Sequence, residues 1–429
     1  MDICVVALGK IGLPLAVQFA RGGHRVFGAD ISARTVDSVN AGVAPFPNET
    51  DLDRLLAEVV TSGLLTATCD VTDAVKSAEV VVVVVPLVVD VDKRPDFGAL
   101  DHATAAIAAG LRPGTLVVYE TTLPVGTTRQ RFAPALAEGS ALTLGDDLFI
   151  AFSPERVYSG RVFADLARYP KLVGGIDQAS TDLAVRFYES VLQFDQRDDL
   201  ARPNGVWNLG NSEAAELAKL AETTYRDINI GFANELARHA DHHDIDIYQV
   251  IEACNSQPFS HIHQPGIAVG GHCIPVYPHF YLTGDPTARI PAAARHANDA
   301  MPEYAVRRLA EHVGSLDGLT VAILGLAYRG GVKESAFSGA FPLAKALTTA
   351  GAHAAVHDPL YSDDEITSLG LTPYHLGHPC DAAIIQADHE QYRTLKSSDL
   401  GGATTVLDGR NRLTTPSDLT IISLGRGGT

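Results

Sequence analysis

The sequence predicts an α/β protein with two doubly wound domains joined by a long central helix and a helical middle domain. Three observations carry that expectation. Short β-branched runs alternate with helix-like segments over the first two hundred residues, a stretch nearly free of turn formers follows, and a strand, glycine, helix unit recurs near residue 320. At roughly 100–200 residues per domain, the 429 residues divide into 1–200, 201–312 and 313–429, the first and last Rossmann-like.

Each element follows from local pattern. Residues 3–6 form a β-branched run, Gly9 and Gly12 punctuate, and residues 13–20 continue with helical spacing. The run 24–29 is a second strand ending at Asp30, 21 positions after Gly9. Further strand candidates are 80–85, 115–119 and 148–152, with helix-like segments such as 103–109 between them. That alternation requires crossover helices and therefore a parallel sheet. From 213 to 240, Ala214, Leu217, Ala218, Ala221, Tyr225, Ile228, Phe232, Ala233 and Leu236 recur at threes and fours. They describe one helix of about 40 Å at 1.5 Å per residue, suited to a spine between domains or to a dimer interface. The strands of the last domain are expected at 320–324, 354–357, 382–385, 404–407 and 420–422.

Composition removes several function classes. The formal charge is −18 and no basic block interrupts it, which excludes a nucleic-acid backbone as partner. With 46% hydrophobic and 20% charged residues the chain can bury a large core. The most apolar run, 80–89, is broken by Pro86 and is about half of a bilayer span. The first residues lack the basic start and cleavage site of a signal peptide, so a cytoplasmic protein without membrane contact is expected. Cys4, Cys69, Cys254, Cys273 and Cys380 are odd in number and lack paired spacing, which suggests neither a disulfide framework nor a cysteine-rich zinc site.

Four groups of residues could carry chemistry. Ala7-Leu8-Gly9-Lys10-Ile11-Gly12 opens a helix after the first strand, with Asp30 at the end of the next. It reads as a dinucleotide turn or as an ordinary strand–helix turn, and its first glycine is replaced by Ala7. As a dinucleotide site, its backbone N–H groups would face a pyrophosphate and Asp30 a ribose diol, favouring NAD over NADP. Gly270-Gly271-His272-Cys273-Ile274-Pro275 places a cysteine among glycines, either as an accessible nucleophile or as a buried structural thiol. Lys219 and Thr223 share a face of the long helix. A lone helical lysine is normally solvated, yet Leu217, Ala218, Leu220 and Ala221 around it would suit a desolvated amine. His239, His242 and His243, and His261, His263 and His272 near Cys273, make a metal conceivable. Asp241, Asp244 and Asp246 make a solvated helix end the better reading, and no metal is expected.

Taken together, these segments resemble the UDP-glucose/GDP-mannose dehydrogenase family of nucleotide-sugar 6-dehydrogenases over nearly the whole chain, from Val5 to about Arg412. The matching pieces stand in family order: Gly9-Lys10-Ile11-Gly12-Leu13-Pro14, residues 120–128, Ser153-Pro154-Glu155-Arg156, Gly174-Gly175, the helix from Glu213 through Asn234-Glu235-Leu236, residues 265–275, residues 325–328 and Asp408-Gly409-Arg410-Asn411. The helix and the cysteine loop are most similar to the branch that oxidises UDP-N-acetylhexosamines.

The resemblance implies oxidation of a sugar C6 alcohol to a carboxylate with two NAD in turn, by a homodimer. It implies that Cys273 forms a thiohemiacetal and then a thioester, which water hydrolyses. Lys219 would stabilise the oxyanion, Glu155 would activate the water, and Thr223 would stand beside them. The cofactor would meet Gly9, Ile11, Gly12, Asp30, Arg34, Pro86, Thr121 and Thr122. The nucleotide sugar would meet Arg156, Asn229, Gly270, Gly271, Tyr277, Tyr328, Arg329, Lys333 and Arg410, with the loop 265–271 wrapping sugar and diphosphate.

Three departures accompany the match. An asparagine and an aspartate that position the proton-accepting water in the family align with Thr223 and Tyr277. A tyrosine, with a reference pKa of about 10, cannot replace a carboxylate as a ready base at neutral pH. The arginine of the family's Arg-x-Ser-Pro-Ala motif aligns with Ala336, leaving Lys333 or Arg329 to substitute. Pro86 runs directly into Leu87 and Val88, without the usual Thr-Pro. An unusual nucleotide sugar or nucleoside, a reaction stopping at the aldehyde, and a catalytically silent binding paralogue are the alternatives.

Overall fold

The computed structural model describes residues 1–90, 92–414 and 418–427. The chain divides into two compact units, Met1–Ala221 and Glu222–Thr429, with the division inside the long helix Ser212–Asp241.

Among the described residues ten strands belong to the first unit: β1 (Asp2–Val6), β2 (Arg25–Ala29), β3 (Leu65–Thr68), β4 (Val80–Val83), β5 (Val88–Val89), β6 (Pro95–Asp96), β7 (Thr115–Tyr119), β8 (Leu148–Phe152), β9 (Lys171–Gly175) and β10 (Val206–Asn208). Eight of them form one sheet in the order β10-β9-β8-β7-β4-β1-β2-β3, while β5 and β6 make a separate antiparallel hairpin. β4 is four valines, all buried, as expected of a strand covered by helices on both faces. The order reverses between β1 and β4, where an open α/β sheet leaves a crevice at its carboxyl ends.

The expected parallel sheet is corrected at one place. β9 pairs antiparallel with β8, Phe152 opposite Gly174 and Ala151 opposite Gly175. β3, β5, β6 and β10 escaped the sequence reading because they are two to four residues long, and β9, though five residues long, begins on a lysine and ends on two glycines. The strand expected at 80–85 ends at Val83, so Pro86 lies on the loop beyond it.

The second unit contains the helices Ile247–Asn255, Tyr277–Gly284, Arg289–Asp299 and Met301–Val313, followed by β11 (Thr320–Leu324), β12 (His353–His357), β13 (Ala382–Ile385), β14 (Thr405–Asp408) and β15 (Thr420–Ser423). All five strands are parallel in the order β12-β11-β13-β14-β15, again reversing beside the first strand. Ile267, from the loop before Cys273, is fully buried in the core of this sheet with Ile323, Ile384 and Leu407.

The helix end is solvated as expected at His239, His242, His243 and Asp244, and the departure from that reading is Asp241. It is buried and accepts from the Tyr304 hydroxyl at 2.6 Å and from the Gly425 and Gly427 amides at 2.9 and 3.0 Å. His242 and His243 are exposed.

Candidate active site

The turn after β1 is built for close approach. Ala7 has φ +77°, a left-handed conformation that disfavours a side chain, and donates its amide to Ala29 O at 2.8 Å. A Cβ on Gly12 would stand 1.9 Å from Ala7 O, so only glycine fits there. Asp30 Oδ2 accepts from Leu8 N at 2.8 Å and Oδ1 from Ser32 N at 2.9 Å, which fixes the carboxylate beside the turn. The helix Gly12–Arg21 has no side-chain cap and no acidic residue in its first turn, and a Cβ on Gly9 would meet nothing within 4 Å. A helix start without a side-chain cap and an open approach at Gly9 suit an anionic pyrophosphate, and these residues fit a dinucleotide. Ile11 is half-buried, while Arg34 and Pro86 are exposed. Thr121 donates from its hydroxyl to Val85 O at 2.6 Å, and Thr122 is buried beside it in sequence.

At the carboxyl ends of β7 and β8 lies a buried cluster of charges. The antiparallel register of β9, stepped on from the Phe152–Gly174 pair, brings Lys171 level with Glu155. Lys171 Nζ donates to Glu155 Oε2 at 2.8 Å and to Glu120 Oε2 at 2.7 Å, with the lysine side chain only 4% exposed. Tyr188 donates to the other oxygen of Glu120 at 2.5 Å. Glu155 Oε1 accepts from Arg156 N at 2.6 Å and Val157 N at 3.2 Å. The Lys171 ammonium, aided by these amides, outweighs burial and holds Glu155 below the usual carboxylate range. On Glu120, burial outweighs the same ammonium and the Tyr188 hydroxyl and pushes it up to about 7. Arg156 donates from Nη1 to Pro170 O at 3.3 Å.

Lys219 is buried and donates from Nζ to the backbone carbonyl of Glu155 at 2.6 Å. One turn earlier on the helix, Glu216 accepts from Gly126 N at 2.5 Å, Thr128 N at 2.8 Å and Thr128 Oγ1 at 2.6 Å. Burial nevertheless raises it to about 7.

In the second unit the cysteine loop lies against the carboxyl ends of the smaller sheet. Gly271 has φ +90° and donates its amide to Ala336 O at 2.9 Å. A Cβ on Gly270 would stand 2.6 Å from Tyr328 Cβ, so this loop can pack so closely only as glycine. Cys273 is exposed, and its carbonyl accepts from Val276 N at 3.2 Å and Tyr277 N at 2.9 Å where the next helix begins. The accessible sulfur, rather than a buried structural thiol, is what the structure shows. Tyr277 sits half-buried against Phe280, its ring centroid 5.5 Å away. Thr223 is buried. Asn229 donates to His261 O at 2.6 Å and accepts from His263 N at 2.9 Å, so it anchors the start of the loop.

Arg410 donates from Nε to Gln386 O at 2.6 Å and from Nη2 to Tyr328 O at 3.3 Å, and a Cβ on Gly266 would meet its Nη1 at 3.2 Å. Gly270, Gly271, Tyr328 and Arg410 are therefore gathered at one edge. Arg329 is exposed and donates to the Tyr328 hydroxyl at 3.0 Å. Lys333 is drawn off to Glu365 at 2.6 Å and the Tyr361 ring. Among the described residues no three His, Cys, Asp or Glu side chains converge as a metal-binding group.

Sequence reasoning missed Lys171, Glu120, Tyr188 and Glu216. Glu120 stands inside a segment quoted for the family match, yet nothing local marks it as buried. For Lys171 the one signal was a charged residue directly before the apolar pair Leu172 and Val173 and a Gly-Gly end.

Comparison with known proteins adds independent findings. Sequence profiles of the UDP-glucose/GDP-mannose dehydrogenase family match in order: the NAD binding domain at residues 1–192, the central domain at 213–300 and the UDP binding domain at 322–415. The chain is 33% identical over 424 residues to a UDP-N-acetyl-D-mannosamine dehydrogenase of Pyrococcus horikoshii, covering 97% of both. It is 34% identical over 352 residues to an NDP-N-acetyl-D-galactosaminuronic acid dehydrogenase of Ralstonia solanacearum, covering 80% of this chain and 79% of the relative. Among solved structures, the UDP-D-ManNAc dehydrogenase of P. horikoshii superposes with a TM-score of 0.88 at 30% identity, covering 100% of both chains. A UDP-glucose dehydrogenase of Pyrobaculum islandicum gives 0.86 at 27% identity, covering 99% of this chain and 97% of the other. Among the described residues no helix is long and apolar enough to cross a membrane.

Proposed function

The chain belongs to the UDP-glucose/GDP-mannose dehydrogenase family and is an NAD-dependent nucleotide-sugar dehydrogenase; from that premise we propose that it oxidises the C6 alcohol of a UDP-N-acetylhexosamine or UDP-hexose to the uronic acid. The observation that carries this reading is the buried Lys219 amine held on the backbone of Glu155, a cation kept in a dry setting next to a carboxylate.

NAD, which the turn from Gly9 to Gly12 and Asp30 would hold, would supply the hydride acceptor, once for the alcohol, whose hydroxyl proton passes to water, and once for the aldehyde level. The chain's own residues do the rest. The Cys273 thiolate adds to the aldehyde carbon to give a thiohemiacetal, and loss of hydride leaves a thioester. Lys219 supplies positive charge for the oxyanion, which gains most where water is excluded. Glu155 takes a proton from the attacking water as the carbon–sulfur bond breaks and Cys273 leaves as thiolate. Gly270, Gly271, Asn229, Tyr277, Tyr328, Arg329 and Arg410 form the substrate's side of this reading, with Arg156 beside Glu155. Since Lys333 already shares its charge with Glu365, Arg329 is the better replacement for the arginine lost at Ala336.

The division 1–200, 201–312 and 313–429 then gives a cofactor-binding domain that also lends Glu155 to the chemistry, a central domain that carries Lys219 and Cys273, and a nucleotide-sugar-binding domain. A homodimer is part of the proposal, supported by Tyr225 and Phe232. They lie seven residues apart on one helix face and are 55% and 50% exposed. So is a cytoplasmic location.

The test is stoichiometric. Purified protein is incubated with NAD and a panel of UDP- and GDP-sugars while NADH and product are counted. Two NADH per substrate with an acid product support the proposal, one NADH per substrate indicates that the reaction stops at the aldehyde, and no NADH with any sugar overturns it. Cys273→Ala should abolish the second oxidation; unchanged acid formation would refute the thioester.

A further inference from the structure

We propose that Lys171 is a positioning residue for Glu155, holding its carboxylate charged and oriented through a buried bridge shared with Glu120. The inference deepens the proposed function and rests on Glu155 being the base for thioester hydrolysis.

Geometry carries it. Lys171 is the first residue of β9, which together with β10 runs opposite to the other six strands of the sheet, and that reversal sets its side chain at the carboxyl ends of β7 and β8. Its ammonium touches one oxygen of each carboxylate, at 2.7 and 2.8 Å, and lies 4.8 Å from the centroid of the Tyr188 ring. The carboxylate side chains are 0% and 10% exposed. Lys171 is the cation that both buried carboxylates share, so the two compete for it and a proton settles on the less favoured one. The groups facing Glu155 are Lys171, Glu120, Lys219 and the Arg156 and Val157 amides; those facing Glu120 are Lys171, Glu155 and Tyr188. Lys171 and both amides favour charge on Glu155, whereas Glu120 has only Lys171 and the Tyr188 hydroxyl. The proton therefore stays on the Glu120 side. Glu155 keeps an ionised carboxylate whose remaining lone pairs can receive a proton from water.

Lys171 touches neither substrate nor cofactor in this account, so its removal should affect the hydrolytic step and leave binding intact. The test uses the full chain with the nucleotide sugar that yields two NADH in the panel assay. Lys171→Met should lower kcat about 100-fold, the scale of a lost general base, with KM for NAD and sugar changed by less than about threefold. NADH should appear as a burst that stalls with thioester bound, and the acid limb of the kcat–pH profile should move toward neutral pH. Lys171→Arg should restore most of kcat. A Lys171→Met enzyme with parental kcat and pH profile overturns the proposal. So does a Lys171→Arg enzyme that folds, as judged by its thermal melt, yet is as slow as Lys171→Met. If Lys171→Met fails to fold, Lys171→Arg decides alone, and a folded Lys171→Arg enzyme about 100-fold slower than the parent overturns the proposal. If Glu155→Gln still forms acid at the parental rate, the base reading fails and this proposal with it; if Glu155→Gln stalls and Lys171→Met does not, only this proposal fails.

Discussion

Lys219 Nζ and the backbone carbonyl of Glu155 meet at 2.6 Å although the residues are 64 positions apart in sequence. The acceptor is a main-chain carbonyl, and it fixes the amine in a buried position. That arrangement suits a group meant to stabilise a developing anion.

Replacing Lys219 with alanine should accordingly lower kcat by about 100- to 1000-fold, the usual consequence of losing one oxyanion donor. KM for NAD should change little, because the dinucleotide turn is elsewhere in the unit. Steady-state kinetics over both substrates check this, and a kcat within threefold of the parent would remove Lys219 from the chemistry.

Asp30 is held by two backbone amides at the end of β2. Asp30→Asn keeps an acceptor for Leu8 N but loses the charge that a ribose diol would bond, a difference of about 1.4 kcal/mol or tenfold. Titration of NAD by fluorescence or calorimetry should show that weakening, with no comparable loss for the nucleotide sugar.

Ala7 pays for its left-handed φ of +77°. A non-glycine residue there costs about 1–2 kcal/mol, while glycine loses about 0.4–1 kcal/mol through a freer unfolded chain. Ala7→Gly should therefore raise stability by up to about 1 kcal/mol, visible as a higher melting temperature; a lower one would mean that the alanine methyl contributes packing.

Burial raises Glu120 and Glu216 to about 7 and Asp227 to about 6. For such groups the folded chain binds more protons than the unfolded chain between the ordinary carboxylate value and the raised one. Stability then falls as pH climbs through that window. Glu155, Glu213 and Asp358 are held low instead, and their contribution is lost as pH falls below the ordinary carboxylate value of about 4. The melting temperature should peak near pH 5 and decline toward pH 8. Glu216→Gln should flatten that decline whatever it does to the absolute melting point; an unchanged slope would show that Glu216 does not titrate there.

The long helix was legible from its apolar spacing almost to the residue, and strands 115–119, 148–152, 320–324 and 382–385 coincide with the observed ones. Local periodicity and turn residues suffice for such elements, because each is specified by its own side chains. The glycine turn with Asp30 and the exposed cysteine loop were legible for the same reason: their chemistry is written in adjacent residues.

By itself, then, the sequence determined the α/β class, the central helix, the dinucleotide turn and the identity of Cys273, Lys219 and Glu155 as candidates. Only the tertiary structure decided that β9 runs antiparallel, that Asp241 is buried, and that Lys171 joins Glu120 and Glu155. Strand direction and the burial of a charge depend on partners far away in the chain. A lysine before two apolar residues looks the same whether it meets water or two carboxylates, and its energy differs only once the sheet has closed around it.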